Sequence, residues 1–174
     1  MPNGVADGPT VRAVVGPRGR RLAWIVVVVV VVVDQLTKIW AVSSLDHGPV
    51  SIVGDTIELR LGYNTGAAFS LFGDYGIVLA LVAVALVVVL IRMVRRTDDI
   101  WMIGALALVL GGALGNLADR VFRAPGFLRG AVVDFVHVDP IPTFNVADAA
   151  LTVGAVTLVV AGLLGGRRLH DEPS

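Results

Sequence analysis

Four apolar stretches dominate what this chain of 174 residues can become. Residues 22–42, 76–94, 100–118 and 146–165 are each close to the roughly 20 residues an α-helix needs to cross a hydrocarbon core. Inside a bilayer every backbone N–H and C=O must be satisfied within the protein, which leaves helices and closed barrels. Eight consecutive valines at 26–33 would suit a buried strand in water. Here they belong to a run long enough to span, and a single strand cannot. Basic residues before that run, with Ala41-Val42-Ser43 after it, weakly resemble a secretory signal with its cleavage site. Three further spans argue instead for a resident membrane protein. The chain is 56% hydrophobic and 16% charged, so the expected fold is a membrane all-α bundle of four transmembrane helices. We expect one membrane domain at 22–166, a disordered basic tail at 1–21 and a short tail at 167–174.

Charge distribution orients the bundle. Arg12, Arg18, Arg20 and Arg21 precede span one, Arg92, Arg95 and Arg96 separate spans two and three, and Arg167 and Arg168 follow span four. Nine of the fourteen cationic residues therefore lie on one side, which the positive-inside rule makes cytoplasmic. Both termini are then cytoplasmic and loops 43–75 and 119–145 lie outside. Trp24 and Trp40 flank span one about 24 Å apart at 1.5 Å per residue, suited to the two interfaces. Net charge is zero, so no global field attracts nucleic acid. In the first outer loop, Ile57, Leu59, Leu61 and Tyr63 alternate with Glu58, Arg60, Gly62 and Asn64, the period of a half-buried strand. With residues 50–53 and a turn at Gly54-Asp55 they predict a small extracytoplasmic hairpin or sheet between spans one and two.

Polar residues gather toward that outer end. Asp34 and Lys38 share one face of span one, and ionisable residues within a span face a bundle interior or an aqueous cavity. A structural ion pair is the plainer reading and direct catalysis the sharper one. Asn116, Asp119 and Arg120 close span three on one face. Asp119 opposes the helix dipole and calls for a cation, either Arg120 or Lys38. Gly111 and Gly115 form a GxxxG step suited to helix packing. Asp134 sits between Val132-Val133 and Phe135 within an outer loop, where an apolar setting should raise its pKa. Asn145 followed by Asp148 reads as a capping box opening span four, a role compatible with chemistry because the dipole favours the Asp148 anion. Five aspartate- or asparagine-bearing segments converging on one leaflet describe a constructed polar site.

The chemistry follows partly by elimination. With no cysteine, disulfides, thiolate catalysis and cysteine metal sites are excluded. Neither an HExxH metal motif nor a GxSxG elbow occurs, and His47, His137 and His170 are scattered. Two carboxyls sharing a site cannot both ionise easily, so one serves as acid while the other acts as base on water. A small transporter or channel binding cations on its outer aspartates is the competing class, although neither repeated halves nor a broken midplane helix is visible.

Five blocks carry a resemblance. Asp34-Gln35-Leu36-Thr37-Lys38, Asn64-Thr65-Gly66-Ala67-Ala68-Phe69-Ser70, Gly115-Asn116-Leu117-Ala118-Asp119-Arg120, Val132-Val133-Asp134-Phe135 and Phe144-Asn145-Val146-Ala147-Asp148 occur in this order. They resemble the DQxxK, NxGxAFS, GNxxDR, VxDF and FNxAD blocks of the lipoprotein signal peptidases (signal peptidase II), over residues 34–150. The resemblance implies an inner-membrane aspartic endopeptidase removing signal peptides from bacterial prolipoproteins just before a lipid-modified cysteine. It implies Asp134 and Asp148 as catalytic dyad, with Asp34, Lys38, Asn64, Asn116, Asp119, Arg120 and Asn145 supporting it or touching substrate. Its partners would be diacylglyceryl-modified precursors and membrane lipids; we expect no cofactor, no metal, and a monomer. The long basic N-terminal tail and the lengthened stretch 121–130 depart from the family pattern.

Overall fold

A computed structural model describes residues 16–54, 56–66 and 75–170. Four helices run α1 (Pro17–Ser44), α2 (Tyr75–Arg96), α3 (Ile100–Phe122) and α4 (Val146–His170), and each holds a segment long and apolar enough to cross a membrane. α1 begins at Pro17, five residues before the expected span, because proline suits the first helical turn where an N–H has no partner anyway. The expected disorder of the N-terminal tail falls, for residues 1–15, outside the described residues. α3 starts where Asp99 accepts a hydrogen bond from the Met102 N–H at 2.9 Å, satisfying one orphan donor of the first turn.

α3 is the central helix and packs against the other three. Its buried face includes Ile103, Leu106, Ala107, Leu110 and Ala113, joined by Val27 from α1 and by Val87, Leu90 and Val94 from α2. The outer surfaces of α1, α2 and α4 expose valine, leucine and isoleucine, among them Leu36, Val82 and Leu163. Such a surface is intolerable in water and ordinary in lipid. Close approach around α3 depends on glycine. A Cβ on Gly111 would stand 2.8 Å from Val30 Cβ, and one on Gly115 would stand 2.6 Å from Asp34 Oδ2, so the GxxxG step is a packing surface as expected. Arg20 at the start of α1 pairs with Asp98 between α2 and α3 at 2.8 Å, placing the basic segments together at one end of the bundle.

The other end carries an antiparallel sheet in the order β1 (Val50–Val53), β2 (Ile57–Asn64), β3 (Val132–Val138) and β4 (Ile141–Phe144). The first hairpin is the expected one. The second, between α3 and α4, replaces what reads in sequence as an irregular loop. Val132, Val133, Asp134 and Phe135 are buried consecutively, so the strand lacks the two-residue alternation that would announce it. β4 contains Pro142 and is an edge strand, where a missing N–H costs no ladder bond. Leu59, Leu61, Phe135 and Val136 rest on Ala41 and Leu45 at the end of α1. Trp40 meets Phe135 edge-on at 6.3 Å between centroids, so this tryptophan also docks the sheet onto the bundle.

Candidate active site

The site forms where the sheet meets the helix ends. On β3, Asp134 pairs in register with Gly62 of β2, and two residues away Val132 pairs with Asn64, placing Asn64 and Asp134 on one face. On α4, Asp148 sits in the first turn. Its N–H donates to Asn145 Oδ1 at 2.9 Å while Asn145 N–H donates to Asp148 Oδ2 at 3.2 Å. That is the reciprocal capping box read from the sequence. The same Asn145 also donates from Nδ2 to Asp134 Oδ1 at 2.6 Å. One asparagine thus joins the two carboxyls, and Asn116 Nδ2 donates to Asp148 Oδ1 at 2.8 Å.

Beneath these residues lies a buried ionic network. Lys38 and Asp34 have fully buried side chains, and the ammonium spends all three N–H donors: on Asp34 Oδ2 at 2.9 Å, Asp119 Oδ2 at 2.9 Å and Asn116 Oδ1 at 3.0 Å. A buried charge satisfied on every donor is tolerable where an unpaired one is not. Each carboxylate then reaches the residue just before one of the two aspartates, Asp134 or Asp148. Asp34 Oδ1 accepts the Ala147 N–H at 2.9 Å, next to Asp148. Asp119 Oδ2 accepts the Val133 N–H at 3.1 Å, next to Asp134. The ion pair of α1 thus connects, through Asp34 and Asp119, to the backbone beside both aspartates. Lys38 supplies the cation that Asp119 requires; Arg120 instead donates to the Gly130 carbonyl at 3.3 Å.

Burial pushes the Asp134 carboxyl up to about 6, and the neighbouring Asp148 charge pushes it the same way. Hydrogen bonds from Asn145 and Asn64 and the charge of Lys38 act in the opposite sense without overcoming this. A cavity of about 220 Å³ opens beside the pair, lined at its polar end by Asn64, Asn116, Arg120 and Asp148 and toward the bundle by Leu79, Ala83, Leu86, Leu117 and Leu151.

All nine site residues named from sequence meet in this one region. Of the block containing Asn64, residues 67–70 lie outside the described residues. Gly66 shows why glycine follows: its φ is 82°, its N–H donates to Asn64 Oδ1 at 2.9 Å, and a Cβ would stand 2.6 Å from Leu79 Cδ1. Two contributors escaped the sequence reading of function. Gln35 Nε2 lies within 3.1–3.2 Å of Asp34 Oδ2, the Gly115 carbonyl and Asp119 Oδ1. Arg123 Nε donates to Asp119 Oδ1 at 2.7 Å. Gln35 stood inside a matching block; Arg123 carried no signal beyond its i+4 spacing from Asp119.

Fold and site together define a polytopic membrane protein with a carboxylate pair at one end of its bundle, beside a cavity open to apolar helix faces. Comparison with known proteins makes this specific. A family model described as Signal peptidase (SPase) II matches residues 26–164, and the chain belongs to that family of membrane proteases. A lipoprotein signal peptidase of Rhodococcus jostii is 49% identical over 147 residues, covering 84% of this chain and 74% of the relative. One from Mycobacterium tuberculosis is 49% identical over 162 residues, covering 89% and 80%. A solved bacterial membrane enzyme superposes with a TM-score of 0.74 at 26% identity, covering 82% of this chain and 93% of that one.

Proposed function

We propose that this protein removes signal peptides from bacterial prolipoproteins, cutting just before the lipid-modified cysteine with water activated between Asp134 and Asp148. The carrying observation is the single asparagine, Asn145, bonded to both carboxyls, with Asp148 lining a cavity that offers both polar and apolar side chains. A diacylglyceryl-modified precursor has that same character, with a peptide bond beside acyl chains. The relatives named as lipoprotein signal peptidases support the substrate class.

The reaction follows from unequal protonation. Asp148, which accepts from the Asn116 amide and the Asn145 N–H at the head of α4, is the base. Asp134, buried beside it, is the acid. As the water oxygen attacks the scissile carbonyl carbon, Asp148 takes a proton from the water and Asp134 gives its proton to the carbonyl oxygen. A neutral gem-diol results. On collapse the C–N bond breaks, Asp148 returns its proton to the leaving nitrogen, and one gem-diol hydroxyl proton passes to Asp134. The dyad ends with the single proton it began with, and no covalent intermediate forms. Binding of a transported cation fits poorly, because Asp34 and Asp119 are already engaged by an ammonium, a guanidinium and backbone N–H groups.

Cleavage of a diacylglyceryl-modified precursor peptide by the purified protein in phospholipid nanodiscs tests this reading. Asp134→Asn and Asp148→Asn should each abolish turnover while retaining precursor binding. The double variant should be little worse than either single, as expected of residues acting as a unit. Substantial turnover by either single variant removes the dyad.

We further propose that the basic end of the bundle faces the cytoplasm and the site lies near the outer leaflet, with the protein acting as a monomer.

A further inference from the structure

Arg123 lies outside all five family-like blocks, at the start of the loop that follows α3. Its Nε donates to Asp119 Oδ1 at 2.7 Å, shorter than the bonds the same carboxylate accepts from Lys38, Gln35 and Val133. The two oxygens divide the work: Oδ1 is held by Arg123 and Gln35, leaving Oδ2 for Lys38 and the backbone N–H just before Asp134. A carboxylate fixed on one oxygen by a guanidinium presents the other in a set direction, which a freely rotating group does not. The loop itself is closed on the same carbonyls. Gly130 N–H donates to the Arg120 carbonyl at 3.0 Å and Ala131 N–H to the Ala124 carbonyl at 3.1 Å.

We propose that Arg123 is a positioning residue for the reaction, acting through Asp119 on the strand that carries Asp134 and adding a positive charge beside Asp119. This rests on the dyad reading. Among the described residues, Lys38 from α1 and Arg123 both pair with Asp119, Lys38 also pairs with Asp34, and Arg120 from α3 donates to the Gly130 carbonyl. The basic residues of α2 (Arg92, Arg95 and Arg96) lie toward its far end. Without Arg123, Asp119 keeps Lys38 but loses a guanidinium's positive charge beside it, and the dyad holds its protons to higher pH. An ordinary ion pair at a helix end has no such consequence for the chemistry.

The test uses Arg123→Met, Arg123→Lys and Arg123→Gln of the full chain in nanodiscs, each checked for folding by thermal unfolding and assayed on the diacylglyceryl precursor peptide. Losing one charge-assisted hydrogen bond and its direction in Arg123→Met should lower kcat about tenfold, with KM changed less than about threefold. The kcat–pH bell should move up by about half a unit, the scale of one charge partly screened at this range. Arg123→Lys should restore the position of the bell and most of kcat. Arg123→Gln keeps a donor without charge and carries the pH test if the methionine variant does not fold. Wild-type kcat and pH profile in both neutral variants overturn the proposal. So does a rise in KM at unchanged kcat, which would make Arg123 a substrate contact. Asp134→Asn and Asp148→Asn run alongside. Activity in either removes the dyad reading itself, whereas inactive asparagine variants with an unaffected Arg123→Met remove only the positioning role.

Discussion

Replacing Asp134 by asparagine should make the protein's stability less dependent on pH while it destroys activity. Asp134 is only 5% exposed, and its carboxyl is pushed from the ordinary 3.8 to about 6, mainly by burial and secondly by the Asp148 charge. Between those values the folded state binds a proton that the unfolded state has released. Stability from this group is therefore full below about pH 4 and declines as pH rises through 6. The difference in proton affinity amounts to about 3 kcal/mol by pH 7. The replacement asparagine carries no charge and can still accept from Asn145 Nδ2, so it escapes the penalty. Thermal unfolding of both proteins in the same detergent from pH 4 to 7.5 should show the variant gaining on the wild type by several degrees across that range. Asp148→Asn adds a control. It removes the neighbouring charge but leaves the burial, so the pH dependence should shrink without vanishing. A difference between Asp134→Asn and wild type that stays flat from pH 4 to 7.5 would refute a raised Asp134, and with it the assignment of Asp134 as the acid.

Other expectations follow from the supporting shell. Asp34→Ala deprives Lys38 of one partner and the Ala147 N–H of its acceptor, at a cost of roughly 3–5 kcal/mol for a buried pair. It should accumulate poorly but keep partial activity per folded molecule; normal folding with no activity would move Asp34 into the chemistry. Gly115→Ala places a methyl 2.6 Å from Asp34 Oδ2 and 3.2 Å from Ala147 Cβ. Overpacking of this kind costs about 1–3 kcal/mol, so both melting temperature and turnover should fall, while Gly104→Ala, with open space around it, serves as the neutral control. For orientation, a cysteine replacing Asp46 should label with an impermeant thiol reagent in intact cells and one replacing Arg95 should not. Labelling at Arg95 would reverse the proposed topology.

The spans and the first hairpin were legible because each follows from a local rule. Length and apolarity set the helices, and the alternation from Ile57 to Tyr63 set β2. The capping box at Asn145 and Asp148 and the tight step at Gly111 and Gly115 were legible for the same reason, since both act within one helix or across one contact. What remained hidden depends on partners distant in the chain. Val132 to Phe135 reads as an apolar patch until β2 pairs along it and Asn145 reaches the Val133 carbonyl and Asp134. Nor could the cation serving Asp119 be chosen between Lys38 and Arg120, because the choice lies in where α1 packs against α3. The motif blocks named the residues of the site, but not the order in which they hold one another.

That order explains why so many charges tolerate this position in an apolar bundle. A lone aspartate here would be protonated or expelled. Lys38 bonds two of them at once, and each then uses its remaining capacity on a backbone N–H at the foot of a different element, α4 or β3. A backbone N–H cannot change rotamer, so Asp148 and Asp134 inherit the rigidity of the helix and the strand. Asn145 then ties the pair together, accepting from the Asp148 N–H and donating to Asp134. The sheet is thus part of the site's construction. Asp134 can face Asp148 only because β3 is bound to α3 through Asp119 and to β2 through the Gly62 pairing. A four-helix bundle without that strand would have Asp148 at the head of α4 and nowhere to mount Asp134 opposite it.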